Sequence, residues 1–308
     1  MKTNGIYLSK IALVNGMFSS DAHIETLGKA SYLKNEKMLT FCRHDNFVPL
    51  INKNPNVRAV ICPPSLTGKF RPDIAVITHG EPQEFLAAVS DYLLTETSFY
   101  ERGLGRYIAS SALIHPSSQI ADQDVVIGEN VRIGPNAIIE KNTVIEDNTE
   151  IGAGAIIGYD HIFPINLNGK TYYTRHSGGV LIKKNAMVGA LCCIYKAMFS
   201  FDTVIGEETT LGTMVTIAHN VRVGSNCSIG CNALLSGNVT VGDDIYMGPA
   251  SVVSNGLNIG HKAVLGIGSL VKRDVPPGTV IHGAASPSSM ELLEAERIKS
   301  YSKRMMNG

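Results

Sequence analysis

Aliphatic residues recur through the middle of the chain at a period of six. Ile127, Ile133, Ile139, Ile145, Ile151 and Ile157 follow one another, each preceded two positions earlier by a small or β-branched residue, from Val125 to Ala155. Glycine comes next after the isoleucine in four of those six cases. The register returns at Ile182, Val188 and Ile194, and then runs from Ile205 through Leu211, Ile217, Val223, Ile229 and Leu235 to Ile259, Leu265 and Val271. Six is neither the 3.6 of an amphipathic helix nor the two of a half-buried strand. It fits one side of a three-sided parallel β-helix whose coil is 18 residues long. The aliphatic residue and the small residue two before it are predicted to point inward. The Gly, Asn or Asp that follows is predicted to turn the corner, where a left-handed backbone costs least. Stacked coils then bury one aliphatic column, and each coil is stabilised by its neighbours.

Two interruptions stand out, because a solenoid carries function on its insertions and outer faces. Residues 159–179 lose the period and hold Asp160, His161, Arg175 and His176, which predicts an external loop; 195–202 are a smaller irregularity. Residues 1–105 lack the register altogether. Strand-like runs at 57–62 and 74–78, and a helical pattern over 82–97 with Phe85, Leu86, Val89 and Leu93 on one face, predict a small N-terminal α/β domain. The β-helix is predicted over 106–285, its coils ended by Pro276, Pro277 and Gly278, and a short C-terminal helix over 286–308. The fold class is mainly β.

Composition narrows the function. A chain of 308 residues suits two domains. No apolar run approaches the roughly 18 residues of a membrane span. Lys+Arg and Asp+Glu both count 27, so no basic field exists to draw nucleic acid. The first residues lack signal-peptide architecture, and a cytoplasmic location is expected. Cys192 and Cys227 stand at small inward positions and read as buried thiols, with Cys231 as surface packing. The cysteine spacings match no zinc motif, and no metal site is expected.

The sharpest candidate for chemistry is His219, two residues past Ile217, with Gly237 and Asn255 at 18 and 36 residues further on. That spacing predicts one column at a corner or outer edge of the solenoid. A histidine, with an ordinary pKa of ~6.5, suits the removal of a proton from an attacking amine or hydroxyl. A glycine one coil away can turn its backbone N–H toward an oxyanion.

The stretch from Gly178 to Gly237, with Asp202-Thr203-Val204-Ile205-Gly206 and then Ile217-Ala218-His219-Asn220-Val221, resembles the UDP-3-O-acylglucosamine N-acyltransferase family of lipid A biosynthesis. Leu39-Thr40-Phe41 and the Ala-Val-Ile runs near 60 and 75 are similar to that family's N-terminal uridine-binding domain. The resemblance implies a left-handed helix, His219 as general base and Gly237 as oxyanion contact. It also implies a homotrimer in which a neighbour completes the cleft. Phe41 would hold a nucleobase together with the residues at 44 and 47, where His44 and Phe47 replace the family's asparagine and tyrosine. The family's second active-site histidine falls at Gly256, and its Asp-Arg pair at Tyr195-Lys196. The exit sequence from Gly266 to Gly278 resembles the end of CoA-dependent sugar acetyltransferases, which assigns Lys272 and Arg273 to CoA phosphates.

The expected activity is acyl transfer from acyl-CoA or an acyl carrier protein, used as cosubstrate with no tightly bound cofactor, to the amine of a nucleotide-linked amino sugar. Asp160, His161, Arg175, His176 and Asn255 are expected to contact that sugar. Transfer of acetyl from acetyl-CoA to a sugar hydroxyl, and a non-catalytic scaffold, are the alternatives.

Overall fold

The computed structural model describes residues 5–31, 35–160, 163–167 and 170–283. The expected C-terminal helix lies outside these residues, as does His161.

The N-terminal part is a four-stranded parallel sheet in the spatial order Thr26–Leu27, Met38–Phe41, Val57–Cys62, Ala75–Thr78. Helix α1 (Val48–Lys53) lies between the second and third of these strands in sequence, and α2 (Pro82–Thr95) follows the last. Strand side chains alternate between faces. Leu39, Ile61 and Ile77 therefore pack with Phe85, Leu86, Val89 and Leu93 of α2, while Val60 and Cys62 pack with Val48 and Ile51 of α1. The apolar face read for α2 from its spacing is the face it buries.

From Arg106 onward the chain forms a left-handed parallel β-helix of three sheets, holding eight, nine and eight short strands. Ile127 pairs with Ile145, Ile133 with Ile151 and Ile139 with Ile157, so residues 18 apart lie directly above one another. The aliphatic residues and the small residues two before them are buried along most of the column, Thr143 and Thr149 included, while Ile108, Ile114 and Ile120 of the first coil and Leu257 are partly buried.

The corners differ from the sequence expectation. The left-handed residue is the third after the inward aliphatic, at Asn130, Asn136, Asn148, Asn226 and Asn232 among others. Asn enters that backbone conformation more readily than other residues with a β-carbon, and here its side chain also links coils, Asn130 Nδ2 donating to Asn148 Oδ1 at 3.1 Å. Apart from Gly158, whose φ is 83°, the glycine that follows the aliphatic has another cause. A β-carbon at position 152 would fall 2.5 Å from the Ala190 nitrogen, and one at position 206 would overlap the Gly224 carbonyl oxygen. These glycines let successive coils approach; they do not turn the chain.

The larger interruption is a hairpin, with Phe163–Leu167 antiparallel to Lys170–Thr174, and it packs beside α2. Ile157 and Ile182 still occupy consecutive sides of the solenoid. The linker after α2 is tied to the β-helix by Arg102, whose guanidinium meets the Asp202 carboxylate at 2.5 Å and the Phe201 carbonyl at 2.7 Å.

Candidate active site

Register alone builds the site. On the third sheet Ile194, Ile217, Leu235, Val253 and Val271 are stacked neighbours. The residues two beyond them, Lys196, His219, Gly237, Asn255 and Arg273, therefore share one corner column, with a step of ~4.8 Å per coil.

His219 is held from its own corner. Asn220 takes the left-handed conformation with φ 59°, and its Oδ1 accepts the Met198 N–H at 2.9 Å. An oxygen already accepting there must also accept from the His219 Nδ1, 3.1 Å away. Nδ1 thus carries the proton and Nε2 keeps the lone pair, the tautomer a general base needs. On the other side a β-carbon at position 237 would overlap His219 Nε2 and fall 2.9 Å from Asn255 Nδ2. The three residues sit together because position 237 has no side chain. The Gly237 N–H donates to no described group, while its carbonyl accepts from the Gly256 N–H at 2.9 Å.

His219 stands at a corner, one of the two places its spacing predicts. It stays outside the inward column, yet only 7% of it is exposed. The His176 ring packs edge-to-face against it, with centroids 5.2 Å apart at 76°. His176 arrives from the base of the inserted hairpin and is itself 1% exposed. Its Nδ1 donates to the Lys196 carbonyl at 3.1 Å, and its backbone N–H donates to Asp160 Oδ1 at 3.0 Å. The same carboxylate oxygen receives the Lys196 ammonium at 3.0 Å.

Asp160, Arg175, His176 and Lys196 line a cavity of about 450 Å³ that reaches the end of α2 at Leu94 and Thr95. Three of the residues expected at the substrate thus meet there, Arg175 as an exposed side chain. Phe41, His44 and Phe47 line a separate cavity of about 420 Å³ with Lys29, Arg43 and Gln83. Burial pulls the Lys29 ammonium below its ordinary pKa. Arg43 is oriented by Gln83 Oε1 at 3.0 Å and Glu84 Oε1 at 2.9 Å. Lys272 and Arg273 are exposed on the last coil.

Lys196, Asn220, Lys29 and Arg43 had gone unassigned from sequence. Asn220 had a readable signal, an acceptor directly beside the histidine. Cys192 and Cys227 are fully buried, and burial raises both thiols. Among the described residues no group of three or more His, Cys, Asp or Glu gathers to hold a metal, and no helix is long and apolar enough to cross a membrane.

The family model for the bacterial transferase hexapeptide (six repeats) matches residues 124–159 and 202–237. No curated protein matches the chain. Among solved structures, it is similar to UDP-N-acetylglucosamine acyltransferase from Campylobacter jejuni at 24% identity, over 61% of this chain and 77% of that one, with a TM-score of 0.46. The Arabidopsis UDP-N-acetylglucosamine acyltransferase gives 25% identity, 57% and 71% coverage and a TM-score of 0.40. A point mutant of perosamine N-acetyltransferase from Caulobacter crescentus, in complex with CoA and GDP-perosamine, gives 17% identity, 78% and 72% coverage and a TM-score of 0.23. The coils at 124–159 and at 202–237, the latter carrying His219, are built of bacterial transferase hexapeptide repeats.

Proposed function

We propose that the chain is an acyltransferase that moves an acyl group from a thioester, acyl-CoA or acyl carrier protein, to the amine of a nucleotide-linked amino sugar. One observation carries this: a buried histidine with Nδ1 tied to Asn220 has its Nε2 against a glycine whose N–H is unengaged among the described residues. The neutral amine attacks the thioester carbonyl carbon as Nε2 takes the amine proton. The carbonyl oxygen becomes an oxyanion, which the Gly237 N–H stabilises. Collapse of the tetrahedral intermediate breaks the carbon–sulfur bond, and the imidazolium returns its proton to the thiolate. An amide and a free thiol leave.

The column also gives the site a direction. Arg273 stands three coils beyond His219, ~14 Å along the corner, where a CoA phosphate can be met while the thioester lies at Gly237. The acceptor sugar belongs on the other side, in the cavity where Asp160 and Arg175 face it. Its nucleobase stacks on Phe41 and Phe47. The two cavities lie toward opposite ends of α2, which is roughly 20 Å long.

A homotrimer completes the cleft. On the third sheet the outward residues run Ile138, Ile156, Cys193, Thr216, Leu234, Val252 and Leu270, an apolar strip of the kind that marks a protein contact. Use of acyl-CoA or acyl carrier protein places the enzyme in the cytoplasm.

The test is a panel of UDP-, dTDP- and GDP-amino sugars, each offered with acetyl-CoA, longer acyl-CoAs and acyl carrier thioesters. Free thiol release and product mass are followed. Thiol release that depends on one amino sugar nucleotide, with the acyl group on nitrogen, is the expected result. Acylation at a hydroxyl would make it an O-acyltransferase, and no release with any pair would overturn the proposal.

A further inference from the structure

We infer that His176 is a positioning residue for the base, holding the His219 imidazole so that Nε2 stays against Gly237. The inference rests on the role proposed for His219. The hydrogen bond from Nδ1 to Asn220 Oδ1 sets the tautomer for as long as the ring keeps its place beside that oxygen. Active groups hold their geometry when their rotamers are locked by packing and by a further layer of hydrogen bonds. His176 supplies that packing as an edge-to-face contact at 5.2 Å.

His176 is itself held at two points. Its Nδ1–H reaches the Lys196 carbonyl at 3.1 Å, and its backbone N–H reaches Asp160 Oδ1 at 3.0 Å. Lys196 closes the arrangement with its ammonium on that same Asp160 oxygen at 3.0 Å. Since Lys196 precedes His219 by one coil in the corner column, the hairpin base is fastened to the coil beside the one it must align. An imidazole serves here because it offers both a flat ring toward His219 and an N–H toward the Lys196 carbonyl.

Two variants separate positioning from other roles. His176→Ala removes the ring and its anchor; His176→Phe keeps a ring at the same place. Positioning predicts that His176→Ala lowers kcat by about 10- to 100-fold, with donor and acceptor KM within about threefold of wild type. His176→Phe should recover most of that loss. A substrate contact would instead raise acceptor KM in both variants, and a base at 176 would leave His176→Phe as inactive as His219→Ala. Either result overturns the inference.

A second measurement needs no turnover. With nitrogen-15-labelled histidine, and His219 assigned by its disappearance in His219→Ala, the wild-type spectrum should show a protonated Nδ1 and a lone-pair Nε2. Without the ring contact the imidazole swings away from Asn220 Oδ1, so His176→Ala should collapse this to a mixture of tautomers, and His176→Phe should preserve it. An unchanged His219 signal in His176→Ala contradicts positioning. Loss of the tautomer in a chain that acylates no acceptor would overturn the proposed function and leave this inference standing. If His176→Ala does not fold, a His176→Phe variant with scrambled His219 tautomers overturns the inference by itself.

Discussion

At the scale of single residues, Gly237 gives the most selective test. Its backbone is not in the left-handed region, so alanine there brings no φ strain. The added β-carbon would meet the ends of two side chains, His219 and Asn255, which can move. Gly237→Ala should therefore shift the imidazole without harming the coil. The expected loss in kcat is about 100-fold, with a melting temperature within a few degrees of wild type, read by steady-state kinetics and calorimetry. The column of His219, Gly237 and Asn255 was legible in the sequence because coil stacking turns an 18-residue spacing into contact. Arg273 lies on the same arithmetic, three coils after His219. The contact between His176 and His219 was not legible. An insertion erases the register, and no spacing rule says which loop residue folds back onto the column.

Among elements, the hexapeptide divides its labour between two residues that sequence reading treated alike. Glycine after the inward aliphatic permits close stacking, whereas Asn three positions after it supplies the left-handed corner. The division predicts a difference at Asn136, where φ is 57°. Asn136→Ala should cost about 1 kcal/mol, because alanine enters the left-handed conformation less readily than asparagine, while Asn136→Gly should be closer to neutral. Denaturant midpoints of the two variants check this. The α/β domain was legible for a simpler reason: the four apolar positions of α2 sit on one face, and that face covers the sheet. The hairpin in the insertion also carries a sequence signal, one that a reading for period six passes over: Phe163, Ile165 and Leu167 alternate with Pro164 and Asn166 and run into Asn168-Gly169, a dipeptide that favours tight hairpin turns.

For the whole molecule, several corner residues break the asparagine rule, and two of them are large, apolar and exposed. Leu191 and Met214 hold φ of 59° and 61° and are 59% and 52% exposed. Large apolar groups in a costly backbone conformation, beside the apolar strip of the third sheet, would find compensation in a neighbouring copy of the proposed trimer. The double variant Leu191→Asp with Met214→Asp should sediment as a monomer and lose turnover, whereas a wild-type chain that is monomeric at micromolar concentration would refute the trimer. The central claim is narrower, namely that His219 removes the proton from the attacking group. Its most direct test is kcat for His219→Asn, a residue of similar size that bonds but cannot act as base, measured with the best donor and acceptor pair on protein of wild-type melting temperature and assembly. A fall of roughly 10² to 10⁴ in kcat with little change in KM is predicted, and turnover within threefold of wild type would contradict it.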